Sequence, residues 1–493
     1  MGVSGRSVKA AGSAVGLSPR ASRRHARKAI PRAAKESIQP SQVPLSEIEL
    51  TPEFRRALDL LEGTSRHVYI TGRAGTGKST LLRLFRERTK KRVAVVAPTG
   101  VAAINVGGQT IHSFLRLPPR FLERDDVHTA GKHRTLVEKL DTLIIDEVSM
   151  VRADLMAAID WSLRLNRRKM ETPFGGIQMA FFGDLYQLPP VVDEEVKAIF
   201  QQRHESPFFF SASVFNSIEL HYLELTRVFR QTDEAFVSLL NRIRDDQCSA
   251  DDLERLNRRV MPGDSHEGSA VTLTTTNQGA FEINQKRLHR IAEPPCEYRA
   301  DISGTFNASA YPADEILVLK RGAQVMLLRN DPGKRWVNGS IGRVSALTKD
   351  GITVSIGERD YAVPRVRWEK IQYKWDPETE TVERDTVGIF EQYPIKLAWA
   401  ITIHKSQGQT LTDVIIDMQT GAFAHGQLYV ALSRCRSLSG VRLRAPVRRS
   451  DIIFDARVLE FRKRSLRDAA GTSRLPGERE RNESSWWRIG GDI

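Results

Sequence analysis

Residues 72–80 have the types and spacing that bind the phosphates of a nucleotide. They read Gly-Arg-Ala-Gly-Thr-Gly-Lys-Ser-Thr and match the pattern Gly-x-x-x-x-Gly-Lys-Ser/Thr. In such a loop, glycines let backbone N–H groups face an anion, and the following helix adds its partial positive charge. Lys78 is expected to reach the outer phosphates, and the Ser79 hydroxyl to hold Mg²⁺. The stretch therefore predicts a nucleotide-triphosphate site formed by Gly72, Ala74, Gly75, Thr76, Gly77, Lys78, Ser79 and Thr80.

Two adjacent carboxylates, Asp146 and Glu147, follow the apolar run 143–145. Beside a phosphate loop, Asp146 is predicted to hold Mg²⁺ directly or through water. Glu147 is predicted to orient and deprotonate the attacking water. Alone, the pair would be read as an ordinary acidic strand end. Its combination with Lys78 and Ser79 favours the catalytic interpretation.

Gln187, Arg230 and Arg434 are the other candidates for chemistry at the nucleotide. Gln187 follows an apolar run and can sense the γ-phosphate. Hydrolysis spreads negative charge over the γ-phosphoryl oxygens, so an arginine that arrives from a second domain accelerates it by about 10³–10⁵. For a lone arginine in a protein with net charge +14, a surface role is the default.

Apolar runs flanked by helical stretches must position these residues. We predict buried parallel strands at 68–70, 92–97, 143–145 and 180–182. Strands that alternate with helices indicate a doubly wound α/β domain, with functional residues at the carboxyl ends of its strands.

A second α/β set is predicted from about residue 223. Its strand candidates are 271–275, 324–328 and 414–417. Between them, residues 344–395 change to short alternating segments, which predict a small β-barrel-like insertion.

The composition is that of a soluble globular protein with two or more domains. Of its 493 residues, 40% are hydrophobic and 27% charged, and no apolar run could span a bilayer. Cys248, Cys296 and Cys435 form no Cys-x-x-Cys pair, which argues against structural zinc or a disulfide framework. We expect no membrane partner and a reducing compartment. A bacterial cytoplasm is favoured, and a mitochondrion or nucleus stays open.

Basic residues are concentrated at the start of the chain. Residues 1–46 contain nine Lys/Arg and one Glu, about +8 of the net +14. The stretch fits a nucleic-acid-binding arm, a solvated disordered tail or a transit peptide, and the disordered tail is the simplest interpretation.

Seven stretches, in order along the chain, resemble the motifs of superfamily 1B DNA helicases, specifically the Pif1-like group. They are residues 72–80, 98–114, 144–150, 182–191, 225–231, 398–410 and 426–434. Residues 155–178, which include Asp160, Arg164 and the run Pro-Phe-Gly-Gly-Ile-Gln, are similar to the segment that separates Pif1 proteins from related helicases. The resemblance covers about residues 48–445.

The resemblance implies an α/β fold with two RecA-like P-loop NTPase domains. Domain 1A would cover residues 47–222, with a wedge, 1B, at about 115–140. Domain 2A would cover residues 223–463, with an SH3-like insertion, 2B, at about 344–395. The flanks 1–46 and 464–493 are predicted to be disordered tails.

The resemblance also implies roles for individual residues. The residues that bind ATP and Mg²⁺ or act in hydrolysis would be Lys78, Ser79, Asp146, Glu147, Gln187, Arg230 and Arg434. Single-stranded DNA would be contacted in the first domain by Thr99, His112, Ser113 and Phe114. In the second domain, DNA contact would be coupled to the nucleotide by His404, Lys405, Ser406, Gln407 and Gly408. Phe114 could stack on a base for ~1–3 kcal/mol. A core position for Phe114 and a structural role for His112 are equally weighted alternatives.

One residue departs from the family pattern. The family often carries a glutamine beside Glu53 that reads adenine, whereas this chain has Phe54. We therefore expect selectivity for adenine either to be relaxed, so that other nucleoside triphosphates are used, or to be supplied by other residues.

The leading hypothesis is an ATP-driven motor that moves 5′→3′ on single-stranded DNA and acts as a monomer. Duplex junctions, forks and G-quadruplex DNA are its candidate substrates, in replication, recombination, repair or telomere maintenance. The alternative is a DNA-stimulated ATPase that remodels protein–DNA complexes without unwinding. A third interpretation, a non-catalytic scaffold, is disfavoured because every catalytic position holds a competent residue.

Overall fold

The protein is described here by a computed structural model. It describes residues 48, 50–129, 131–192, 194–229, 231, 233–261, 270–333, 335–418 and 421–471. The basic stretch 1–46 and residues 472–493 lie outside this set. In the described part of the chain, no helix is long and apolar enough to cross a membrane.

The first half of the chain builds a six-stranded parallel sheet, the first sheet. Its strands are β1 (His67–Gly72), β2 (Val93–Ala97), β3 (Gln109–Thr110), β4 (Thr142–Ile145), β5 (Gln178–Phe182) and β6 (Leu220–Leu225). They lie in the order β3-β2-β4-β5-β1-β6. β4 and β5 are buried along their whole length, because helices cover both faces of the sheet. The parallel strands predicted in this region are confirmed.

Within the described residues, seven α-helices accompany the first sheet. They are α1 (Pro52–Gly63), α2 (Lys78–Arg88), α3 (Gly100–Asn105), α4 (Ile111–Leu115), α5 (Arg134–Lys139), α6 (Ala153–Arg167) and α7 (Glu194–Arg203). The stretch predicted as a wedge, 115–140, forms two 3₁₀ turns and α5. Its apolar residues Leu122, Val127 and Leu136 are buried in the main hydrophobic core, which includes residues of both halves, so the stretch is anchored to that core.

A second parallel sheet begins with β7 (Val271–Thr274) after α8 (Glu234–Arg244) and α9 (Ala250–Asn257), and α10 (Asn277–His289) follows β7. A β-rich insertion then separates β7 from the rest of this sheet. Its strands are β8 (Cys296–Arg299), β9 (Asp301–Gly304), β10 (Ile316–Leu319), β11 (Gln324–Leu327), β12 (Ile341–Thr348), β13 (Gly351–Ile356), β14 (Arg359–Val363), β15 (Val366–Asp376), β16 (Thr381–Gln392) and β17 (Ile395–Leu397).

The second sheet is completed by β18 (Ala400–Thr402), β19 (Val414–Asp417) and β20 (Val441–Leu443), in the order β18-β7-β19-β20. The helices α11 (Gln427–Ser433) and α12 (Ala456–Gly471) follow β19 and β20. The two parallel sheets establish the predicted α/β fold class.

Three details of the sequence-based prediction are wrong. The strand at 324–328 is not part of the second parallel sheet, because β11 pairs with antiparallel neighbours in the insertion. The insertion itself is longer than 344–395, since its first strand begins at Cys296. The disordered tail is predicted from 464, whereas α12 continues to Gly471. Short strands exposed on one face carry a weaker periodic signal than the buried parallel strands.

The longest hairpin of the insertion, β15–β16, reaches the first sheet. The Tyr373 hydroxyl accepts a hydrogen bond from the backbone N–H of Val95 at 3.1 Å. The backbone N–H of Tyr373 donates to the Gln109 side chain at 3.3 Å. The hairpin therefore covers the edge of the first sheet beside β2 and β3.

Candidate nucleotide and DNA site

The phosphate loop connects β1 to α2. Gly75 and Gly77 have φ angles of +84° and +87°, values that favour glycine. The Lys78 ammonium donates to the backbone carbonyls of Gly72 at 2.6 Å and Arg73 at 3.1 Å. Ser79 is exposed in the first turn of α2, where backbone N–H groups have no partner within the helix. This geometry leaves the loop able to receive phosphates, with Lys78 held directly beside it.

The carboxylates Asp146 and Glu147 follow the end of β4. Burial, and then the neighbouring Glu147 charge, raise the pKa of Asp146 to about 7. Burial also raises the pKa of Glu147, while the charges of Lys78 and Arg434 act in the opposite direction. Glu147 has φ +51° and ψ +43°, a left-handed conformation that costs a non-glycine residue about 1–3 kcal/mol. At this turn Glu147 and Lys78 act on each other electrostatically.

Gln187 is buried and tied to a charged network. Its side-chain amide donates to Asp184 at 3.1 Å. Asp184 pairs at 3.7 Å with Arg244 of α8, whose guanidinium also lies 3.9 Å from the Tyr186 ring centroid. Burial lowers the pKa of Lys78, while the Asp184 charge raises it. The network joins the first sheet to a helix of the second half. Sequence reasoning missed Asp184 and Arg244, because neither stands out from its local pattern.

Arg434 lies at the end of α11 and is 1% exposed. Its guanidinium donates to Val430 O at 3.0 Å, to Ser406 O at 3.3 Å and to the Ser433 hydroxyl at 2.8 Å. Its positive charge also acts to lower the pKa of Glu147, against the effect of burial. Arg434 therefore connects the predicted catalytic carboxylate with the turn that contains Ser406. Arg230, the second predicted arginine, lies outside the described residues.

Three contacts bring α11 and the two residues before it onto the first half. The Tyr429 hydroxyl accepts a hydrogen bond from the backbone N–H of Ala74, in the phosphate loop, at 3.4 Å. A Cβ on Gly426 would lie 2.3 Å from Tyr186 O, so only glycine allows this approach. His425 Nε2 donates to Leu185 O at 2.9 Å. The start of α11 therefore contacts both the phosphate loop and the segment that follows β5.

The predicted DNA contacts in the first half divide into two groups. Thr99 and Ser113 are exposed, although the Thr99 hydroxyl also caps α3 by accepting from Ala102 N at 3.2 Å. His112 is half-buried, and burial lowers its pKa. Phe114 is 2% exposed, and its ring meets Tyr373 edge-on at 6.0 Å. The base-stacking role predicted for Phe114 is therefore wrong in this structure, and the core alternative is correct.

The predicted DNA stretch in the second half forms the turn His404–Ser406 after β18. Lys405 and Gly408 are exposed, and His404 and Gln407 are half-buried. Ser406 is buried, and its hydroxyl donates to Ile403 O at 2.7 Å. The Ser406 hydroxyl is thus engaged within the turn, while its carbonyl receives Arg434. A phosphate contact by that hydroxyl is not compatible with this arrangement.

Aromatic rings cover the outer side of the phosphate loop. Phe54 is buried, and its Cζ lies 2.9 Å from the position of a Cβ on Gly77. Phe229 is exposed, and its backbone N–H donates to Gly75 O at 2.9 Å. Glu53 accepts a hydrogen bond from Thr226 at 2.8 Å. Phe54 therefore packs an apolar ring, which cannot hydrogen-bond a base, against the phosphate loop.

Comparison with known protein families gives two matches. The profile of the PIF1-like helicase family matches residues 50–254. That of the UvrD-like helicase C-terminal domain matches residues 397–441.

Two curated relatives are similar over most of this chain. The ATP-dependent DNA helicase Pif1 of Bdellovibrio bacteriovorus is 35% identical over 432 residues, 85% of this chain and 93% of the relative. The ATP-dependent DNA helicase PIF1 of Xenopus laevis is 34% identical over 82% of this chain, which spans 64% of that longer protein.

Solved structures show the same similarity. The Bacteroides sp Pif1 structure in complex with ADP-AlF4 has a TM-score of 0.80 at 36% identity and covers 86% of this chain and 98% of its own. Bacteroides Pif1 bound to ssDNA has a TM-score of 0.62 at 37% identity, covering 85% of this chain and 97% of its own. The present structure therefore differs more from the ssDNA complex than from the ADP-AlF4 complex.

Proposed function

Because the chain belongs to the PIF1-like helicase family of ATP-dependent DNA helicases, we propose that it moves 5′→3′ along single-stranded DNA and unwinds duplex DNA ahead of it. The observation that carries the proposal is the position of Arg434. Its buried guanidinium acts electrostatically on Glu147 and donates to the carbonyl of Ser406, in the turn predicted to contact DNA. One side chain thus links the hydrolytic carboxylate to the DNA turn.

The chemistry follows from the residues around the loop. Lys78 neutralises the outer phosphates once they replace the two carbonyls that it now contacts. Glu147 accepts the proton of the attacking water, and Gln187 orients it. Arg434 stabilises the charge that develops on the γ-phosphoryl group. The release of that charge after hydrolysis changes the position of Arg434 and hence of the turn containing Ser406.

Magnesium fits the residues at this site. The Ser79 hydroxyl at the start of α2 and the Asp146 carboxylate are the hard oxygen ligands that Mg²⁺ prefers. When bound, Mg²⁺ neutralises part of the phosphate charge.

A strand-displacement assay tests direction and unwinding together. The substrates are duplexes with a 5′ or a 3′ single-stranded overhang, supplied with ATP and Mg²⁺. We expect displacement of the 5′-overhang substrate only. Forked and G-quadruplex substrates extend the series. If the enzyme acts as a monomer, the rate of strand displacement should rise linearly with enzyme concentration. Displacement only from the 3′ overhang would overturn the assigned direction. DNA-stimulated hydrolysis without any displacement would favour the remodelling translocase.

The ring of Phe54 predicts weak selection among nucleotides. Each neutral hydrogen bond contributes about 0.5–1.5 kcal/mol. A site without a glutamine amide to bind adenine should therefore lose roughly tenfold in its preference for ATP over GTP. We expect kcat/KM for GTP to lie within about tenfold of that for ATP. Phe54→Gln should raise the preference for ATP, whereas the apolar control Phe54→Leu should not. A wild-type preference for ATP above a hundredfold would contradict this expectation.

A further inference from the structure

The turn 184–187, which follows β5, carries Gln187 at its end. The backbone N–H of Gln187 donates to Asp184 O at 3.0 Å and closes the turn. One oxygen of the Asp184 carboxylate accepts from the backbone N–H of Tyr186 at 3.2 Å, and the other accepts from the Gln187 side-chain amide at 3.1 Å. The orientation of the Gln187 amide, which is proposed to position the attacking water, therefore depends on where Asp184 is held.

Arg244 of α8, in the second half, balances the charge of Asp184. The Arg244 side chain is 1% exposed and that of Asp184 is 0% exposed, and their nearest charged atoms lie 3.7 Å apart. The same guanidinium lies 3.9 Å from the centroid of the Tyr186 ring. A buried carboxylate is unfavourable unless a cation or hydrogen-bond donors compensate its charge. Arg244 therefore contacts the turn twice, at its carboxylate and at its ring.

Glu224 of β6 fixes the position of Arg244. One Glu224 oxygen accepts from the Arg244 guanidinium at 3.4 Å, and the other accepts from Arg462 of α12 at 2.9 Å. Two helices of the second half thus meet at one carboxylate of the first sheet. The guanidinium is held between Glu224 and Asp184, so it has a defined place from which to hold the turn.

We propose that Arg244 is a positioning residue for ATP hydrolysis, which acts on the attacking water through Asp184 and Gln187. It holds the carboxylate to which the Gln187 amide is bound, and it acts without touching the nucleotide. Because α8 belongs to the second half and the turn to the first, the amide keeps its hydrolytic orientation only while the two halves keep this contact. The inference rests on the role proposed above for Gln187, and it adds a residue that lies outside the seven motif stretches.

The experiment measures kcat and KM for ATP in the full chain at saturating single-stranded DNA. A displacement of about 1 Å in a positioned group can cost about 10²-fold in rate. We therefore expect Arg244→Met to lower kcat by about 10²-fold and to leave KM for ATP within about threefold of the wild type. Arg244→Lys keeps a positive charge beside Asp184 and should recover roughly tenfold of this loss. The lysine variant keeps the test decisive if the methionine variant folds poorly.

A double-mutant cycle with Gln187→Ala separates positioning from general support of the fold. If Arg244 acts through Gln187, both Arg244 variants lower kcat in the wild-type background and lower it no further in Gln187→Ala. An equal factor in both backgrounds is the result of a purely structural role and would overturn the proposal while leaving the role of Gln187 intact. Wild-type kcat in Gln187→Ala would instead refute the role proposed for Gln187, and this inference with it.

Arg242→Met is the matched control. Arg242 lies in the same helix and pairs with Asp252 at 2.6 Å, so its substitution also breaks an arginine–aspartate pair. It should keep the wild-type kcat and KM. Wild-type kcat in Arg244→Met would contradict the proposal. A raised KM with unchanged kcat would contradict it as well, since Arg244 would then act on nucleotide binding and not on hydrolysis.

Discussion

Glu147→Gln is expected to slow ATP hydrolysis by about 10²–10⁴ while leaving single-stranded DNA binding near the wild-type level. The substitution keeps the shape of the side chain and removes its ability to accept a proton. Glu147 lies beside Lys78 and within the influence of Arg434, so the nucleotide should still bind. Steady-state phosphate release and oligonucleotide anisotropy measure the two effects separately.

The stability of this variant distinguishes lost chemistry from misfolding. The pKa of Glu147 is raised above its ordinary value by burial, so the ionised carboxylate costs stability at neutral pH. Removing the charge should leave the thermal midpoint unchanged or higher. The control Glu254→Gln changes an exposed glutamate paired with Arg258 and should hydrolyse ATP normally. Normal turnover in Glu147→Gln would show that another group is the base.

Arg434→Lys is expected to reduce DNA-stimulated hydrolysis by about 10³ or more. Lysine keeps the charge but cannot reproduce the planar fork that reaches Val430, Ser406 and Ser433 together. The variant should therefore also lose the response of hydrolysis to DNA. ATP turnover measured with and without oligothymidylate gives both quantities.

Arg436→Lys is the matched control for this variant, since Arg436 is exposed two residues further along. It should keep wild-type turnover and wild-type stimulation. Binding of a fluorescent ATP analogue to Arg434→Lys checks that the nucleotide site is intact. Turnover of Arg434→Lys within tenfold of wild type would contradict the role given to Arg434.

The nucleotide half of the site is predictable from the sequence because its signals are local. Lys78 and Ser79 follow a buried strand and begin a helix, and Asp146 and Glu147 directly follow β4. The strands are buried on both faces, so they appear as continuous apolar runs.

The DNA half is less predictable because its contacts join distant parts of the chain. Phe114 is covered by Tyr373, a residue of the β15–β16 hairpin, and no local pattern marks that contact. The Ser406 hydroxyl is engaged by the turn in which it lies, which its position in a motif does not reveal.

The same limit applies to the network around Gln187. Asp184 and Arg244 are 60 residues apart in the sequence, and the fold brings their side chains within 3.7 Å of each other. A buried arginine cannot be told from an exposed one by sequence alone in a chain with 74 Lys and Arg residues.

The central claim is that hydrolysis between the two halves is coupled to a DNA strand. Its most direct test is the ATP turnover of the wild type at saturating ATP and Mg²⁺ as single-stranded DNA is added. We expect turnover near zero without DNA and a steep, saturable rise with it. Turnover that is already maximal without DNA, and does not change when DNA is added, would contradict the claim.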